Sequence, residues 1–113
     1  MFIYHITSAH EWSAAQTSGL YSPANFNTDG FIHCSFKDQV IIVANKFYKN
    51  VNELVLLKIE TDLVSANIVE ENLEGGAENF PHIYGKLPVK TVIAFAPLSR
   101  DGNGHYIFPS QLA

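Results

Sequence analysis

The chain opens on alternation. In FIYHIT, residues 2–7, β-branched and aromatic side chains set Phe2, Tyr4 and Ile6 on one face of a strand and Ile3, His5 and Thr7 on the other. The pattern then changes to a helical one. Ser8 and Glu11 have capping-box spacing: Ser8 can hold the Glu11 amide and Glu11 can reach back to the Ser8 amide. A helix is expected over 8–18, with Trp12 and Ala15 inward and Gly19 as the stop. Residues 20–30, LYSPANFNTDG, are rich in turn formers and read as a loop that closes at Asp29-Gly30. FIHC, 31–34, reads as a short strand. Ser35 to Asp38 repeats the capping spacing and opens a second helix, 36–49, in which Val40, Val43, Ala44 and Phe47 should face the core.

Beyond residue 50 the pattern is mostly that of strands. ELVLLKIE, 53–60, is a continuous apolar run, the mark of a central strand buried on both faces. ANIVEE reads as a weak strand, and ENLEGGAEN, 71–79, as an acidic loop. FPHIYGKLP is turn-rich with a strand at 82–84. TVIAFAPL, 91–98, and HYIF, 105–108, are further strands, the second entered through a hairpin turn at RDGNG. Two early helices and several later strands predict an α+β fold with a split or bent, mostly antiparallel sheet.

Composition narrows the picture. A length of 113 residues suits a single domain, 1–113, and 47% hydrophobic residues supply a core without disulfide staples. The net charge is −4, and Arg100 is the only arginine among seven basic residues. Phosphate backbones are held by clusters of cations, so a nucleic-acid partner is not expected. No apolar run is long enough to span a bilayer, and MFIYHITSAHEW lacks the basic and apolar regions of a signal peptide. Cys34 is the sole cysteine, which suits a reducing, cytoplasmic setting.

The candidate chemistry is histidine. His10 and His105 fall at a helix start and after a turn, where a surface role is expected. His5, His33 and His82 each sit among apolar or aromatic neighbours, in IYHIT, GFIHCSF and NFPHIYG. A buried imidazole needs hydrogen-bond partners and is pushed toward its neutral form. Three of them in a small chain suggest one shared cleft, against the alternative of scattered structural roles. Strand alternation puts His33 and Ser35 on one side and leaves Cys34 facing the core, so a His33–Cys34 catalytic pair is disfavoured. His82 and Tyr84 share a face in the same way, on a backbone stiffened by Pro81. His33 and His82 are therefore expected in one pocket, with Ser35 and Tyr84 on its wall and His5 at its edge. No metal-ligand spacing and no phosphate loop are present.

At DGFIHCSFKDQVIIVANKFY, LVLLKIE and NFPHIYGKL the chain resembles an uncharacterised bacterial family, domain of unknown function 952. That family is grouped with the ADP-ribosyltransferase-like fold, a split sheet around a cleft that holds NAD in active relatives. The resemblance implies NAD or a related nucleotide as ligand. It assigns the catalytic positions to His5, His33 and Glu71, with Glu70 as the neighbour of the last. It leaves open three kinds of protein: a transferase-like enzyme, a non-catalytic ligand-binding module, and a structural protein whose histidines only satisfy buried groups. The low basic content weighs toward the second and third.

Overall fold

The computed structural model describes residues 1–73 and 75–113; Glu74, within the expected acidic loop, lies outside the described residues. In chain order the elements begin with β1 (Phe2–Ser8), α1 (Ala9–Ser18), β2 (Leu20–Tyr21), the single turn α2 (Phe26–Asp29) and β3 (Ile32–His33). They continue with α3 (Val40–Phe47), β4 (Leu54–Glu60), β5 (Asn67–Glu71), β6 (Phe80–Tyr84) and β7 (Leu87–Pro88). The last are β8 (Val92–Pro97), β9 (Ser99–Arg100) and β10 (Tyr106–Ile107). The fold is α+β, and the strand pairs described are antiparallel.

Two three-stranded sheets carry the architecture, one in the order β1-β4-β8 and one in the order β3-β6-β5. They touch through one bridge, where Tyr4 N donates to Ser35 O at 2.8 Å and Ser35 N donates to Tyr4 O at 2.7 Å. The sheet is thus split beside His5. Two small ribbons, β2 with β7 and β9 with β10, complete the pairing.

Strand alternation sorts two cores onto opposite faces of the first sheet. Ile3, Val55, Leu57 and Ile59 pack with Trp12, Tyr21, Ile32, Cys34 and Ile83. Tyr4, Ile6, Leu54 and Leu56 pack with Val40, Ala44, Tyr106 and Leu112. The central, two-face-buried position expected for residues 53–60 is the one β4 occupies. His5 and Thr7 have the parity of Ile3 and so share the side that holds Tyr21. Among the described residues no helix is long and apolar enough to cross a membrane.

Both expected capping boxes are altered. Glu11 N donates to Ser8 Oγ at 3.0 Å, but the Glu11 carboxylate does not return to the Ser8 amide. Ser8 is still a strand residue, paired with Leu54, and Glu11 instead accepts from Ser8 Oγ and from Ala24 N, tying the 20–30 segment to the helix. That segment is not all loop: it contains β2 and α2. Ser35 is occupied by the sheet bridge, so the second helix starts later. Phe36 N donates to Gln39 Oε1 at 2.9 Å, a tight turn covers residues 37–39, and α3 begins at Val40. Val40, Val43 and Ala44 face the core as expected and Tyr48 joins them, whereas Phe47, also expected in the core, is 59% exposed.

Candidate functional site

The three central histidines have three different surroundings. His5 lies on β1 beside the split. Its Nδ1 is 2.5 Å from the carbonyl oxygen of His33, and its Nε2 is 2.7 Å from Tyr21 Oη. A carbonyl only accepts, so Nδ1 carries the hydrogen. Burial drives the His5 pKa down to about 4 against the pull of that carbonyl, which leaves the ring neutral and Nε2 an acceptor. Tyr21 then donates to Nε2, and its oxygen, 2.9 Å from Thr7 Oγ1, takes the threonine hydrogen. The chain Thr7–Tyr21–His5–His33 carbonyl satisfies each buried group in turn. It also ties β1, β2 and β3 together on the far side of the sheet bridge.

His33 and His82 are direct cross-strand partners in β3 and β6, so their side chains leave the sheet on the same face. Their rings meet edge to face with centroids 4.9 Å apart. Phe31 stacks on His82 at 4.2 Å and packs edge-on to His33 at 4.6 Å. His33 is not buried, contrary to the reading of its apolar neighbours: its side chain is 44% exposed, with Nε2 3.5 Å from Asp29 Oδ2. The apolar residues around it in sequence, Ile32 and Cys34, point the other way into the core.

His82 is only 1% exposed. Its Nδ1 lies 2.9 Å from Glu71 Oε2, and the Tyr84 hydroxyl donates to the same oxygen. Glu71 and Tyr84 flank His82 along the strands, since Val69 faces His82 while Asn67 faces Tyr84. Their side chains therefore converge over it. The Tyr84 hydroxyl, and after it the His82 ring, hold the Glu71 carboxyl below the usual range, so it is ionised and accepts both hydrogens. The opposite face of that exchange is a Tyr84 phenol raised above its usual range by the carboxylate. Nε2 of His82 is buried with no hydrogen-bond partner among the described residues.

A cleft of about 260 Å³ lies along β1 and the start of α1, lined among others by His5, Thr7, Glu11, Tyr21, His33 and Tyr48. It brings His5 and His33 together. His82 and Tyr84 stand behind His33 on the outer face of the second sheet and do not line it. Ser35, also expected on the wall, is buried at the sheet bridge and joins neither group. Glu70 alternates to the opposite face from Glu71, so of the two acidic residues Glu71 is the one that reaches the histidines. Among the described residues no cluster of three or more His, Cys, Asp or Glu could hold a metal ion.

Tyr21 and Asp29 escape the reading of the sequence, which puts Phe31 on the face of His33 but does not name it for the site. Strand parity gives the shared face of Phe31 and His33, and the structure adds the ring contacts. Tyr21 lies beyond such a rule, because a two-residue strand has no period to detect. Arg100, the one arginine, serves the fold: its Nη2 donates to Val51 O and Tyr106 Oη, both at 2.6 Å.

An α+β protein with a split antiparallel sheet and histidines gathered at the split is the class that this geometry defines. The chain belongs to the family described as protein of unknown function (DUF952), whose profile matches residues 6–95. It is similar to the protein CC0527 from Caulobacter crescentus. The crystal structure of that protein is 34% identical, with 99% of this chain and 98% of the other covered at a TM-score of 0.86. Its solution NMR structure is 37% identical over 92% and 90% of the two chains, with a TM-score of 0.80. No curated protein matches the chain.

Proposed function

We propose that residues 1–113 fold as one domain of the ADP-ribosyltransferase-like kind that binds a nucleotide-like ligand of the NAD class in the cleft beside His5 and His33. One observation carries this reading: His33 belongs to the cleft wall, and its ring packs in the aromatic cluster backed by the Glu71 carboxylate. A planar base or nicotinamide against His33 would meet aromatic faces, and a ribose beyond it would approach a carboxylate. The fit is one-sided. Among the described residues Glu11 is the only charged side chain apart from His on the cleft wall, so a diphosphate finds no cation among them. The ligand is recognised by its base and ribose end, and its phosphates stay in solvent. His5, sealed and neutral, positions the His33 backbone, and Ser35 and Tyr84 act through the bridge and through Glu71. The buried, unpaired thiol of Cys34 supports a cytoplasmic setting.

Transfer chemistry is the second reading, and Glu71 is what favours it. An ionised carboxylate held in place by two donors is suited to stand beside positive charge that develops on a ribosyl carbon. Histidine-resolved NMR during titration with NAD, ADP-ribose and nicotinamide, with NAD consumption followed in parallel, tests both readings. Binding moves His33 and Tyr21 resonances. Consumption of NAD adds the transferase, shifts without consumption leave a binding module, and no shift with any of the three overturns the proposal.

A further inference from the structure

The charge on the cleft wall is negative. Among the described residues that line the cleft, neither Lys nor Arg occurs, and Glu11 supplies the one carboxylate. Its place there follows from its partners. Ser8 Oγ donates to Glu11 Oε1 at 3.2 Å and Ala24 N donates to Glu11 Oε2 at 3.1 Å, and both Ser8 and Ala24 line the same cleft. The carboxylate thus bridges the wall from the end of β1 to the 20–30 segment. An ionised carboxylate offers about four acceptor sites, so these two donors leave roughly half of them for a ligand. The Tyr48 phenol, on the same wall, is raised by burial first and by the Glu11 charge after it, and for Tyr21 that charge is a smaller addition to burial. Glu11 itself is half-buried, neither sealed from a ligand nor fully hydrated. The net charge of −4 adds the same sign at longer range.

We infer that the cleft takes a flat organic cation, and that Glu11 is the residue that selects it over a neutral ring of the same shape. The inference rests on the reading of the cleft as a ligand site and deepens it by giving the charge of the ligand's ring. A cation seated beside the carboxylate gains Coulomb energy in a cavity that water screens only in part. The tyrosines on the wall work in the same direction, because an aromatic face attracts positive charge. An anion of equal shape meets Glu11 with no cation among the lining residues to offset it. Size limits the ligand as well. A cleft of about 260 Å³ is small for a ligand site, so it suits one ring with its substituents. The oxidised nicotinamide ring of NAD is a cation of this kind, and the reduced ring of NADH is neutral. The cleft should therefore tell the two forms apart.

1-Methylnicotinamide and nicotinamide are matched probes, since the added methyl group fixes a positive charge on an otherwise unchanged ring. Titrations of the full chain, followed by tyrosine-ring NMR, read both affinity and place. At low salt 1-methylnicotinamide should bind about five- to tenfold more tightly than nicotinamide and should move the Tyr21 and Tyr48 resonances. The preference should shrink as salt is added. NAD should exceed NADH in the same sense. Glu11→Gln keeps an acceptor for the Ala24 amide, removes the charge, and should bring the two probes to similar affinity. If that variant does not fold, the wild-type preference and its salt dependence decide the matter. Equal binding of the two probes overturns the inference, as does a preference that Glu11→Gln leaves undiminished or one that leaves Tyr21 and Tyr48 unmoved. NAD and NADH bound equally in the cleft sink the selection by charge and leave the cleft reading intact. A selective response to 1-methylnicotinamide beside silence with NAD sinks the nucleotide reading and leaves the cation site standing.

Discussion

Two histidine environments lie within a few residues of each other and are built on opposite principles. Around His5, on the inner side of the split, every polar atom has a partner, burial is nearly complete, and the ring is held neutral. Around His82, on the outer face of the second sheet, burial is just as deep, yet one nitrogen has no partner among the described residues and a half-exposed histidine stands over the ring. The first arrangement is what a fold needs at a seam: three short elements, β1, β2 and β3, are locked by a continuous chain of hydrogen bonds. The second leaves bonding capacity in reserve. Depth of burial alone does not tell the two histidines apart; the partner of the second ring nitrogen does. His33 couples the two, since its carbonyl serves the inner network and its ring serves the outer cluster.

The sharpest way to break this contrast is at His5. His5→Ala strips the partner from the His33 carbonyl and the Tyr21 hydroxyl and opens a void, and it should destabilise the fold by about 3 kcal/mol in urea unfolding. A loss no larger than that of a surface substitution would show that the network is not holding the seam. Acid should act through the same group. With a folded pKa near 4 against 6.5 for an ordinary histidine, the unfolded chain takes up the His5 proton first as pH falls. Stability from this source is therefore complete above pH 6.5 and is lost as pH drops toward 4, by roughly 3 kcal/mol in all. A flat unfolding free energy across that window would contradict the sealed, neutral ring.

How much of this was legible in the sequence depends on the range of the interaction concerned. The β1 alternation and the apolar run of β4 are local patterns, and both faces of the split sheet's first half follow from them. The shared face of His33 and His82 needs their register as well, and the order of FIHC and FPHIY does not contain it. Ser35 was misplaced because alternation was carried past the end of a strand only two residues long; the bridge to Tyr4 takes over at that point. Phe47 departs from its expected place because α3 ends there and Tyr48, the next residue, closes the packed stripe of Val40, Val43 and Ala44. The Glu71–His82–Tyr84 group joins residues on two strands across an acidic loop, and no spacing rule reaches across such a gap.

Smaller effects sharpen the comparison. Tyr21→Phe removes one hydroxyl that serves both His5 and Thr7 while keeping the ring, and should lower stability by about 1–2 kcal/mol. His33→Ala cuts an exposed side chain but leaves the carbonyl that His5 uses. It should lower stability by less than about 1 kcal/mol while removing the response to NAD and nicotinamide. Urea unfolding and the histidine titration report the two consequences separately. If His33→Ala were as damaging to stability as His5→Ala, its ring would belong to the core network and the division between the regions would disappear.

The smallest effect concerns Glu71 and is read as a titration. The carboxylate raises the Tyr84 phenol because ionising that phenol would discard its donor and set a second negative charge against the first. Glu71→Gln keeps an oxygen acceptor for Tyr84 and for His82 Nδ1 but removes the charge, so the fold should be little disturbed. The Tyr84 pKa should fall back toward the ordinary value of 10.0. Tyr4, Tyr21 and Tyr48 are raised by burial instead, and they should not move. Tyrosine-ring NMR across the alkaline range, resolved by residue, separates these two causes within one molecule. The acid side gives a matching sign. The folded pKa of Glu71 is depressed, so its contribution is present above the ordinary carboxylate value of 4.5 and fades as pH falls through the lower folded value. That window opens at 4.5, whereas the one for His5 opens at 6.5, so the inner network should begin to lose its contribution at a higher pH than the outer pair. A Tyr84 pKa unmoved by Glu71→Gln would mean that the phenol and the carboxylate are not paired in solution, and the outer cluster would lose the anchor that orients His82.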